Sequence, residues 1–244
     1  MSRRTRILIK IIASSSAGNC YLIGDGVTAV VIECGISYEK IIPHIKEKKI
    51  SGVLVSHEHK DHAKECQKMI FKGYGIYTSA GTLKALKIPL KSVNVIKSKK
   101  AFKIGTFDVL PFNVQHDCAE PLGFLLKSNV TGEKLLFATD TYYIKYLFPG
   151  VKYYLLECNY DIDTLNKNIE KDLVPEAMKR RILKSHFSLD NLLSYLKKAD
   201  LSKTDEIYLI HTSTGNLNFK KAVEEIEKLT FAEVKYFCGQ KSIK

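Results

Sequence analysis

No stretch of this chain is apolar for long enough to span a membrane, so the transmembrane class is set aside. The N-terminal segment imitates a signal peptide only in outline. Arg3, Arg4 and Arg6 precede Ile7-Leu8-Ile9, and small residues follow as far as Ala17. Lys10 breaks the apolar run before it reaches the length of a signal-peptide core, and the segment reads as a first β-strand. None of the six cysteines (Cys20, Cys34, Cys66, Cys118, Cys158, Cys238) forms a C-x-x-C pair. In a chain of this size they are not a disulfide framework; buried free thiols in a reducing cytoplasm are expected. Repeats, low-complexity tracts and Pro/Gly-rich linkers are also missing, so a single domain over residues 1–244 is expected.

Acidic residues are in short supply. The 26 Asp and Glu face 38 Lys and Arg, which leaves a net charge of +12. Individual runs such as Lys46-Glu47-Lys48-Lys49, Lys97 to Lys100 and Lys179-Arg180-Arg181 read as solvated surface. The overall surplus favours a phosphate-bearing, polyanionic substrate.

What is present is enough for a packed core: 45% of residues are hydrophobic and 26% charged. Strand-like runs rich in Val, Ile, Tyr and Phe recur at Arg6–Ala13, Tyr21–Gly24, Ala29–Cys34, Gly52–Ser56 and Gly75–Thr78. More follow at Phe107–His116, Leu122–Lys127, Leu135–Thr139, Tyr153–Glu157 and Glu206–His211. Asp61–Phe71, Asp190–Lys198 and Asn216–Leu229 carry helical patterns, while Arg180–Leu183 reads as a helix end followed by a loop. The early half thus reads as strand-rich with few helices. Two sheets packed face to face, with helices on the outer faces, would bury these strands.

The decisive motif is His57-Glu58-His59-Lys60-Asp61-His62, directly after the apolar run Ser51–Ser56. The end of a buried strand, followed by a loop and a helix start, is where α/β folds present ligand-binding side chains. In an extended segment His57 and His59 project from one face and can meet one cation. Asp61 and His62 follow as the chain turns and can serve a second. Imidazole and carboxylate ligands suit zinc, and also manganese or iron. Of the seven histidines, three lie in this motif. His116 and His211 close apolar runs, and so does Asp140, whose carboxylate could bridge two cations roughly 3.5–4 Å apart. His44, beside Pro43 in a lysine-rich stretch, reads as a bystander.

With these residues in this order, the chain resembles the metallo-β-lactamase superfamily over nearly its whole length. The resemblance implies an α/β (α+β) fold, a four-layer αββα sandwich with two divalent metal ions at one edge. It assigns one ion to His57, His59, His116 and Asp140, and the other to Asp61, His62, Asp140 and His211. Glu33 stands where the family usually has aspartate, close behind the ligands. Both His186 and His211 qualify as the late histidine. His211 follows a strand-like run and is assigned to the metal; His186 is assigned to proton transfer or to the substrate phosphate. Asp61 and His186 are the candidates for catalytic work.

A narrower resemblance rests on Ser14–Cys20, Asp117 before Glu120-Pro121, Leu156–Asp161, Arg180–Leu183 and His186-Phe187-Ser188. These look like the WalJ-type branch, which is bacterial or phage, cytoplasmic and associated with exonuclease activity on DNA. Tyr160 stands where that branch would have histidine. The implied activity is phosphodiester hydrolysis by hydroxide held between two metal ions. A small-molecule hydrolase of lactones, thioesters or cyclic phosphodiesters would share the fold and the metals. A non-catalytic protein with a structural metal is a third reading. Structural zinc sites are closed, and a full ligand set for two ions argues against it.

Overall fold

A computed structural model describes residues 6–238 and 241–243; Arg3 and Arg4 lie outside these, as does the Cys238 side chain. The chain forms two compact units. One comprises Met1–Asn113 with Cys118–Lys134, and the other Val114–Asp117 with Leu135–Lys244.

The first unit opens with strands β1 (Leu8–Ala13), β2 (Cys20–Gly24) and β3 (Ala29–Ile32), paired antiparallel in sequence order. Helix α1 (Tyr38–Ile45) then carries the chain to β4 (Ile50–Leu54), parallel to β3. Helices α2 (Lys60–Ala63) and α3 (Cys66–Phe71) lead to β5 (Ile76–Thr78), and α4 (Ala80–Leu86) leads to β6 (Val93–Val95). The result is one six-stranded sheet in the order β1 to β6. Strands β7 (Phe102–Ile104), β8 (Phe107–Asn113) and β9 (Leu122–Ser128) form an antiparallel meander.

In the second unit β10 (Lys134–Ala138), β11 (Tyr153–Glu157), β12 (Glu206–Ile210) and β13 (Glu233–Cys238) run parallel, and β14 (Lys241–Ile243) pairs antiparallel to β13. Helices α5 (Ile162–Glu170), α6 (Glu176–Ser185) and α7 (Leu189–Leu196) join β11 to β12, and α8 (Phe219–Glu227) joins β12 to β13. Strand β11 is buried on both faces, which explains its unbroken apolar run before Glu157.

Among the described residues the first half holds four α-helices, more than the sequence pattern suggests. Pro43 sits inside α1 and Gly81 inside the short α4, and both residues disguise a helix. The expected helix Asp61–Phe71 is broken at Lys64 and Glu65, where Glu65 N donates to the Cys34 carbonyl at 3.0 Å. Helix α6 runs through to Ser185, where the sequence suggested an earlier end. Four of the thiols are buried as expected; Cys118 is half-buried. No helix among the described residues is long and apolar enough to cross a membrane.

Candidate metal centre

In the first unit the pairing of β3 with β4 sets Ile32 beside Leu54, so the two chain segments leave the sheet together. Glu33 follows in the left-handed region, φ 62°, and its amide donates to the Leu54 carbonyl at 2.9 Å. Its buried carboxylate accepts from Ser56 N at 3.3 Å, and it lies 3.7 Å from His62 Nδ1. Burial raises the pKa of Glu33, although His62 and Ser56 oppose the shift. Three further backbone bonds tie the motif down. Asn19 N donates to the Asp61 carbonyl at 2.7 Å, Cys34 N to the His62 carbonyl at 2.8 Å, and Gly35 N to the Asn19 carbonyl at 2.9 Å. Gly35 passes so close that a Cβ there would stand 1.7 Å from the Asp61 carbonyl oxygen.

This framework gathers the motif side chains. The His57 ring is 4.7 Å from that of His59 and 4.3 Å from that of His62, centroid to centroid. His62 Nε2 lies 3.2 Å from Asp61 Oδ2 and also 3.2 Å from Asn19 Nδ2. Ser56 Oγ sits 2.8 Å from His57 Nδ1, which leaves Nε2 as the ring's outward nitrogen.

The second unit assembles its cluster at the carboxyl ends of three parallel strands, the usual ligand edge of such sheets. Ala138 pairs with Leu156, and Glu157 with Ile210, so Asp140, Glu157 and His211 emerge side by side. Asp140 (φ 47°) and His211 (φ 48°) take left-handed backbone conformations. Such strain in non-glycine residues clusters at functional sites. Asp140 Oδ2 is 3.5 Å from His116 Nε2, and Oδ1 is 3.3 Å from His211 Nε2. His116 lies three residues beyond the end of β8, in a loop rather than at the strand end expected, and its Nδ1 donates to the Ser185 carbonyl at 3.0 Å. Glu157 Oε1 is 2.7 Å from His186 Nδ1 and 3.3 Å from His211 Nδ1. The His186 ring stacks on that of His211 at 5.5 Å. Asp140, Glu157, His186 and His211 offer ligand atoms that all lie within 4.8 Å of one another.

Protonation follows from these contacts. Burial alone would raise the Glu157 pKa, but His186 and His211 outweigh it and the net shift is downward. Burial alone would lower the His186 pKa, but Glu157 outweighs it and the shift is upward.

The donor chemistry fits a cation. With Nδ1–H committed to the Ser185 carbonyl, neutral His116 turns the lone pair of Nε2 toward the Asp140 carboxylate. His211, held by Glu157 at Nδ1, does the same. Lone pairs facing carboxylate oxygens at these distances require either a proton or a positive ion between them.

His44, on α1, belongs to neither cluster. A cavity of about 460 Å³ along β1, lined in part by Leu8, Leu22, Val27 and Lys49, contains none of these residues. Sequence reasoning gave no role to Glu157, Asn19 or Ser56. Glu157 had a visible signal, a carboxylate closing an otherwise wholly apolar buried strand.

Residues 28–212 match the family model described as the β-lactamase superfamily domain, and the chain belongs to that family. Its fold is the metallo-β-lactamase fold of metallo-hydrolases: a protein of that fold from Bacillus subtilis, YhfI, superposes with a TM-score of 0.74 over 98% of this chain and 100% of its own, at 15% identity. Among relatives, exodeoxyribonuclease YycJ of Bacillus anthracis is 28% identical over 92% of this chain and 87% of its own length. Exodeoxyribonuclease WalJ of Streptococcus pneumoniae is 24% identical over 84% of this chain and 81% of its own length.

Proposed function

We propose that this protein is a metal-dependent phosphodiesterase that degrades DNA from an end. On this reading His57, His59, His116 and Asp140 hold one divalent ion, and Asp61, His62, Asp140 and His211 hold the other. The two compact units then act as one domain, residues 1–244. Zinc is the favoured metal, and manganese or iron also suits the donor set. The observation that carries the reading is Asp140, whose two oxygens face Nε2 of His116 and of His211. A carboxylate so flanked has the chemistry of a bridging ligand. When bound, two such ions make hydroxide available from water near neutral pH and neutralise charge at the attacked phosphorus.

The remaining work falls to the chain's own groups. Ser185 and Glu157 fix the tautomers of His116 and His211, so that Nε2 is the available nitrogen in each. His186, held at Nδ1 by Glu157, offers Nε2 to protonate the leaving oxygen. Asp61, whose Oδ2 lies 3.2 Å from His62 Nε2, would serve as a ligand and could also accept a hydrogen bond from the water. DNA as the substrate is supported by the exodeoxyribonuclease relatives and by the net charge of +12. Action in the cytoplasm of a bacterium or of a phage-infected cell goes with DNA as the substrate, and the two relatives are bacterial.

The test is a panel of labelled single- and double-stranded DNA and RNA, with a lactone and a thioester beside them, given to the purified metal-loaded protein. Progressive shortening of DNA from an end is expected. Intact nucleic acid with hydrolysis of the lactone or thioester would transfer the site to the small-molecule class. Loss of activity on His59→Ala or Asp61→Ala, with folding retained, excludes a structural metal.

A further inference from the structure

Residues Val114–Asp117 are gripped from two sides within their unit. On one side Gln115 N donates to Thr141 Oγ1 at 2.9 Å, and Tyr142 N donates to the Gln115 carbonyl at 3.2 Å. On the other, His116 Nδ1 donates to the Ser185 carbonyl at 3.0 Å, and Arg181 Nε stands 3.8 Å from Asp117 Oδ2. The turn after Asp140 and the last turns of α6 therefore flank His116.

Each flank also carries side chains that reach solvent. Tyr142 and Tyr143 are 39% and 51% exposed. Their backbone is held in place, since Asn191 Nδ2 donates to the Tyr142 carbonyl at 3.0 Å and Thr141 Oγ1 to the Tyr143 carbonyl at 2.9 Å. Two rings are thus presented to solvent on an anchored turn. Helix α6 buries only Ile182 and Ser185, while Arg180, Arg181 and Lys184 point outward. Arg180 and Lys184 form no ion pair among the described residues, and they lie one helical turn apart on one face.

Exposed rings on one flank of His116 and exposed cations on the other match one chemistry better than others. An unpaired nucleic-acid strand supplies flat bases for the rings and regularly spaced phosphates for the cations. A duplex buries its base faces, and an acidic peptide would leave the rings without flat partners. We propose that an unpaired stretch of the substrate strand lies here, bases against Tyr142 and Tyr143 and phosphates along Arg180, Arg181 and Lys184, so that a strand end reaches His116 and His186. The purpose of this track rests on the phosphodiesterase reading above.

Fluorescence anisotropy of the metal-loaded protein with a phosphorothioate single strand, which resists cutting, tests it. Tyr142→Ala with Tyr143→Ala should weaken binding roughly tenfold or more, and Phe at both positions should restore it. Arg180→Ala with Lys184→Ala should reduce the slope of log K against log salt by about 1.4, two phosphate contacts' worth for a single strand. A duplex with an unpaired tail should bind more tightly than a blunt one. Wild-type affinity in the alanine variants, preference for an acidic peptide, or equal binding of blunt and tailed duplexes would overturn the proposal. DNA cutting by a protein whose tyrosine variants bind normally removes the track alone. Binding as expected without cutting in any metal supports the track and removes the phosphodiesterase reading.

Discussion

Glu157 is the residue on which the second cluster turns. Its carboxylate is fully buried, takes hydrogen bonds from Thr141 N at 3.0 Å and Phe187 N at 3.2 Å, and orients two histidines. Glu157→Gln keeps the shape and removes the charge. Metal affinity or turnover should fall about 10- to 100-fold while thermal unfolding moves little, as for other groups that orient metal ligands. Gly35 is the counterpart in the first unit. Gly35→Ala drives a Cβ into the Asp61 carbonyl, a backbone atom that cannot swing aside. Overpacking of this kind costs about 1–3 kcal/mol and should displace Asp61, so calorimetry should record lower stability and elemental analysis less metal. The histidines were legible because their spacing is rare and each one carries chemistry. Asn19 was not, because a single buried amide looks like any capping residue until its neighbours in space are known, and Glu157 showed only as a carboxylate closing a buried strand, with no sign of the two histidines it orients.

Elements bring these residues together through strand register, which sequence patterns do not report. The runs that became β1 to β5 and β8 to β12 were legible from their β-branched and aromatic content. That Asp140, Glu157 and His211 would surface side by side depends on the pairing of β10, β11 and β12. Helix α6 was legible only in part, because its exposed, charged sequence lacks an apolar stripe. Other elements are joined by Asp25 after β2, which accepts from Thr28 N and Val27 N, and from the hydroxyls of Thr106 at 2.6 Å and Ser128 at 2.8 Å. Burial pushes its pKa up, but these hydrogen bonds outweigh burial and hold it below the ordinary 3.8. A carboxyl with a depressed folded pKa contributes stability that is whole above the unfolded value and is lost as pH falls through the folded one. Asp25→Asn should therefore cost about 1–3 kcal/mol at neutral pH and flatten the loss of stability below about pH 4. Urea unfolding from pH 7 down to pH 2 measures both; parallel curves for the two proteins would contradict this account of Asp25.

At the scale of the whole molecule, the family was legible because its motifs recur in order along the chain. The division into two compact units was not, since Val114–Asp117 is exchanged between them with no linker or change of composition at the boundaries. The net charge of +12 acts at this scale too. Affinity for a DNA strand should fall steeply with salt, by about 0.7 in log K per log unit of salt for each phosphate contacted, whereas KM for a neutral thioester should stay flat. The most direct test of the central claim is a titration of metal-stripped protein with zinc or manganese while release of an end label from DNA is followed. No release is expected without metal, and a rise that levels off at two ions per chain is expected as metal is added. Release that ignores the metal, or full occupancy by two ions with the DNA left whole, would contradict it.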